Sequence, residues 1–179
     1  MDSQSYSDSY PTSLKLSRRV LFVLIRLNLL MGFFILALLI ASLVAEGPVF
    51  EALGVRGNDY NSTFFIGMRA IMMIGILATP VAHIILTRLL AIVDTVRNGD
   101  PFVAENADRL QTIAWSVLVL ELMHGVVGIV VNRVSTVRQP LDFHWSFSVS
   151  RGLVVLLLFV LARVFDQGTR MREELEATV

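Results

Sequence analysis

At 179 residues, 55% hydrophobic and 17% charged, the chain has the length of one domain and more apolar surface than a soluble domain of that size can hide. Its formal charge of zero gives no general attraction to nucleic acid, and the absence of cysteine excludes disulfides, thiolate metal sites and cysteine nucleophiles. Lys15 is the single lysine among 15 basic residues, so contacts to phosphate or carboxylate fall to arginine forks.

The first residues, Met1 to Ser13, are rich in Ser, Tyr and Asp and read as the core of a disordered cytosolic tail over residues 1–15. Val20–Ala45 follows as a first span. It is longer than a signal-peptide core and closes without a small-residue cleavage site, so a cleaved signal peptide is not expected. Three further apolar stretches, Thr63–Leu86, Leu110–Val131 and Val149–Asp166, are also long enough to cross a hydrocarbon core as helices. The alternation of a transmembrane barrel is missing, and open strands cannot exist in lipid. The expectation is an all-α, integral-membrane four-helix bundle over residues 16–179, in a bilayer and without an extracytoplasmic domain.

Orientation comes from Lys and Arg. Lys15, Arg18, Arg19, Arg88, Arg97, Arg109, Arg163, Arg170 and Arg172 flank one side, against Arg56, Arg133 and Arg138 on the other, which places both termini in the cytoplasm. The first outer loop carries the turn formers Gly47-Pro48, Gly54 and Gly57-Asn58, and Asn61-Ser62-Thr63 fits a glycosylation sequon as a pattern only. Phe143, Trp145 and Phe147 in the second outer loop suit an interfacial aromatic belt. On the inner side, span two continues amphipathically to Val96 and Asn98-Gly99 breaks it. Asp100 is placed as an N-cap with Pro101 in the first turn of the next helix. The last span continues as Gln167–Glu176, supported by Arg170/Glu174 and Arg172/Glu176 at i,i+4.

Ionisable residues at membrane depth are costly and mark sites to examine. Glu121, His124, Gly125, Gly128 and Asn132 form one polar and small stripe on span three, and Arg69, Met73, Ile76, Pro80 and His83 share a face of span two, where Pro80 is expected to kink the helix. Counting 1.5 Å per residue from the span edges puts Arg69 level with His124 and within reach of Glu121. An Arg69–Glu121 ion pair beside His124 is therefore expected. It reads as a clasp that fixes helix register, with a proton or ion pathway as the functional alternative. A metal site fits less well: Glu121-x-x-His124 has di-iron spacing, but a second such motif is missing. Arg26 reads as a snorkelling residue or a partner for the C-terminal flank, Arg151 as a snorkelling residue, and His83 as a hydrogen-bonded packing residue. Hydrolase, metalloprotease and nucleotide-loop motifs are all missing, so neither enzymatic activity nor a cofactor is expected.

The run Val96-Arg-Asn-Gly-Asp-Pro-Phe-Val-Ala-Glu-Asn-Ala-Asp-Arg-Leu110 resembles the hallmark of a bacterial family of four-span membrane proteins of unknown function. So do Phe159-Val-Leu-Ala-Arg-Val-Phe, Gly168, Met171-Arg-Glu-Glu and the ending Thr178-Val179. The resemblance covers nearly the whole chain after the first fifteen residues. It implies an inner-membrane protein encoded beside a small helix-turn-helix regulator of the Cro/CI type, hence a regulatory pair. In that reading Asp100, Pro101, Phe102, Asn106 and Arg109 form a cytoplasmic loop that docks the regulator, with Phe102 as the anchor and no direct contact of the chain with nucleic acid. The alternative places Asp100-Pro101 as a simple cap and packs Phe102 on the inner ends of neighbouring spans. The leading expectation is a regulatory or sensory membrane protein. The runner-up is a homo-oligomeric small transporter or proton-coupled permease subunit with Arg69, Glu121 and His124 on the pathway.

Overall fold

The structure, a computed structural model, describes residues 12–45, 48–49, 62–99, 101–134 and 149–176. Four long helices account for nearly all of them: α1 (Thr12–Val44), α2 (Ser62–Arg97), α3 (Ala104–Val134) and α4 (Val149–Glu176). Among the described residues there is no strand. Each helix is long and apolar enough to cross a membrane. Their lengths of 33, 36, 31 and 28 residues exceed the roughly 20 that a hydrocarbon core requires. At 1.5 Å per residue α2 is about 54 Å long, well beyond a core of roughly 30 Å. The expected extension of span two to Val96 and of span four to Glu176 is present. The aromatic belt, Asn61 of the sequon and the residue Asp100 lie outside the described residues.

The helices pack as a row. Contacts join α1 to α2, α2 to α3 and α3 to α4, and no other pair of these helices touches. The four-helix architecture is as expected, but the row does not close into a ring. The reason is visible on α1. Its small and polar residues Asn28, Gly32 and Ser42 share one face, and that face is spent on α2. Elsewhere α1 shows large apolar groups, Phe33 and Phe34 among them, for which lipid tails are as good a solvent as another helix. Burial is concentrated on α3, where Ala107, Leu110, Ile113, Ala114, Val131 and Val134 are covered.

Contacts at both ends fix the register of the first two pairs. Between α1 and α2, Arg18 Nε lies 3.2 Å from Asp94 Oδ1 at one end, and Arg69 Nη2 donates to the Ser42 carbonyl at 2.7 Å at the other. Between them, a Cβ on Gly32 would sit 2.5 Å from Thr79 Cγ2, so the hydrogen is what lets the backbones approach. Asn28 Nδ2 donates to the Thr79 carbonyl at 3.0 Å, beside Pro80, where the helix lacks one N–H. Between α2 and α3, Gly67 faces Val134 and Thr95 faces Asn106, two contacts with the same offset along antiparallel helices. Hydroxyls inside the helices are satisfied locally: Thr79, Ser116 and Thr169 each donate to the carbonyl four residues earlier.

Gly32→Val places two methyls where Thr79 now packs and is expected to cost about 1–3 kcal/mol. Unfolding of the purified protein in detergent should show the loss, and Gly152→Ala, at a glycine with open space around it, should show none.

Candidate functional site

The turn between α2 and α3 is the most densely bonded polar part of the described chain. Arg97 ends α2, Asn98 and Gly99 turn the chain, and Gly99 takes a φ of 90°, which an L side chain rarely adopts. Asn98 N–H donates to the Asp94 carbonyl and Gly99 N–H to that of Val96, closing the end of α2. Pro101, Phe102 and Val103 stay outside helix, so α3 begins at Ala104 and not at the expected Pro101. The delay has a cause. The Pro101 carbonyl accepts Asn106 Nδ2 at 2.9 Å, a side-chain bond that holds the segment back from the helix path.

Asn106 is fully buried, at 0% exposure. Besides Pro101, its Nδ2 donates to Thr95 Oγ1 at 2.7 Å, and its Oδ1 accepts Arg109 Nη1 at 2.7 Å. Thr95 passes its own proton to the Ile92 carbonyl, also at 2.7 Å. The amide therefore uses both donors and its acceptor, binding α2, the turn and α3 in one knot. Phe102 leans on α4: its ring centroid is 5.4 Å from that of Phe165, and Gly168 leaves the room it occupies. Of the proposed docking residues, Pro101, Phe102, Asn106 and Arg109 thus serve the turn and its seat on α4, and Phe102 still presents 45% of its surface. Thr95, the partner of Asn106, is a site residue that sequence reading missed. The signal was a threonine in the otherwise apolar and charged end of span two.

The intramembrane cluster is not assembled as expected. The α2/α3 offset places Arg69 level with Asn132, eleven residues and about 16 Å along α3 from Glu121. Arg69 instead reaches α1 at Ser42. Glu121, half-buried, and His124, exposed, remain one turn apart on α3, level with Pro80 and Leu77 of α2. The depth estimate failed because it measured from assumed span edges, whereas α2 and α3 both overrun them by several residues. His83 packs half-buried against α1 with Nδ1 shielded and without a hydrogen-bond partner, contrary to the bonded role expected. It borders an apolar groove of about 450 Å³ with Leu29, Phe33 and Pro80. Groups of three or more His, Asp or Glu that could hold a metal are absent among the described residues.

Four apolar, membrane-length helices in an antiparallel row, with a polar knot at one end, define a multi-pass membrane protein. The chain belongs to the DUF2975 family, described as proteins of unknown function, whose model matches residues 20–179. No curated protein and no solved structure matches the chain.

Asn106→Ala strips a buried knot of its centre and is expected to cost about 2 kcal/mol, with Arg109→Ala costing less, in detergent unfolding. A double-variant cycle of Arg69→Gln and Glu121→Gln should be additive within about 0.5 kcal/mol, the behaviour of sites that do not touch.

Proposed function

We propose that the protein is a regulatory or sensory protein of the bacterial inner membrane that acts through a cytoplasmic partner, a small helix-turn-helix regulator. The observation that supports this reading is the end of the row that carries the start of α1, the α2–α3 turn and the end of α4. There α2, α3 and α4 run past hydrocarbon length, and the ends are tied by Arg18–Asp94, the Asn106 knot and the Phe102–Phe165 contact. The excess of Lys and Arg at this end supports reading it as the cytoplasmic one. Glu105, Arg172 and Glu174 are exposed on it, and Phe102 adds an apolar knob already held in place. A pre-ordered surface of this kind binds a soluble partner without an ordering cost.

A second reading, a transporter subunit, draws on Glu121 and His124 at mid-depth on α3. In that reading Arg69 no longer belongs to the pathway.

The two readings separate in a pull-down from native membranes, with co-purified proteins identified by mass spectrometry. Wild type should retain a basic DNA-binding protein, and Glu105→Arg or Phe102→Ala should release most of it. Equal recovery from all three, or none from wild type, removes the docking reading. A proton flux in liposomes that Glu121→Gln abolishes would put transport in its place.

A further inference from the structure

On the flank of α3 and α4, close to the knot but outside it, the helices leave a cavity of about 250 Å³. Its floor is made by Ala107 and Ala162, both nearly fully buried, whose small side chains bring the helices together. Its walls are Asp108 and Gln111 from α3 and Arg163 and Asp166 from α4. The charges are not used up among themselves. Arg163 Nη1 and Asp166 Oδ2 stand 4.0 Å apart, longer than a hydrogen bond, and the Arg163 side chain is 77% exposed. Arg170, on the rim, approaches Asp166 at 3.4 Å.

Depth gives this cavity its meaning. Arg18, Asp94 and Asn106 mark one level across α1, α2 and α3, and Asp108 lies at that level, where headgroups sit. One to two turns deeper, Trp115 and Phe159 meet edge to face with centroids 5.3 Å apart, and Trp115 is 55% exposed. An exposed indole there marks the boundary with hydrocarbon. Beyond it Val119, Leu122 and Leu156 offer an apolar flank along both helices. The flank thus presents carboxylates and a guanidinium at headgroup depth, an aromatic ledge, and then a hydrocarbon track.

We propose that this cavity binds a bilayer phospholipid with a zwitterionic, primary-ammonium headgroup. The ammonium donates hydrogen bonds to Asp108 and Asp166, the phosphate accepts from Arg163, and one acyl chain lies over Trp115. The chemistry discriminates between headgroups. A quaternary ammonium has no N–H to give two carboxylates, and a singly anionic headgroup brings a phosphate but leaves both carboxylates facing it without a cation. The inference is independent of any soluble partner.

The test uses the full chain with Trp145→Phe, so that Trp115 is the only tryptophan, in phosphatidylcholine vesicles. Dibrominated phosphatidylethanolamine, phosphatidylcholine or phosphatidylglycerol is added at equal mole fraction, and bromine quenches the indole on contact. Phosphatidylethanolamine should associate about fivefold more strongly than phosphatidylcholine, as expected of charged hydrogen bonds at a wet surface. Asp108→Asn, at an exposed position that leaves the packing intact, should bring the ratio close to one while quenching by phosphatidylcholine persists. Equal quenching by the three lipids overturns the proposal. So does a preference for phosphatidylglycerol, which would report a general pull by Arg163 and Arg170. Displacement of the brominated lipid by millimolar glycerophosphoethanolamine in the water would overturn the lipid as the occupant and assign the cavity to a soluble zwitterion.

Discussion

Two apolar helices in a bilayer grip each other almost equally well at several offsets, because the lipid they displace is as apolar as they are. The Asn106 amide removes that freedom for α2 and α3. Its bonds to Thr95 on one helix and to Pro101 in the turn can be made together at only one offset, and at that offset Gly67 falls opposite Val134 at the far end. Everything else is placed by this choice. Arg69 is carried up to Ser42, Glu121 is left at the level of Pro80, and Phe102 comes out of the turn pointed at Phe165. A polar group is costly at such a place unless all its capacity is met, and here it is met.

The same physics explains why the molecule is a row. Contact in lipid has to come from close backbone approach and from hydrogen bonds. Gly32, Gly67, Ala107, Ala114 and Ala162 supply the first, with Asn28, Arg69 and Asn106 supplying the second. These residues lie on the faces between consecutive helices. Among the described residues no comparable set is left over on α1 or α4 to draw the two edges together.

Much of this was legible in the chain. Uninterrupted apolar runs fixed four spans, and the amphipathic stretch to Val96 with the Asn98-Gly99 break gave the end of α2 to within a residue. The segment around Asn106 stood out as unusual. Its role did not, because a buried amide knot and a docking loop both read as polar residues beside a turn. The Arg69–Glu121 pairing failed on register, a property of two helices at once that no single hydrophobic run contains. The cavity of Asp108, Gln111, Arg163 and Asp166 was invisible for a related reason: its halves are far apart in the chain, and each alone reads as the solvated end of a helix.

Because, among the described residues, each helix packs only on the one before it and the one after it, the order of packing is the order of synthesis. As α2 emerges its partner α1 is already in the membrane, and the same holds for α3 and α4. Each surface finds its mate without waiting for a distant segment, so loop-closure entropy is met one hairpin at a time. The structure can assemble during translation by accretion at one edge, each new helix meeting a surface already set in the membrane.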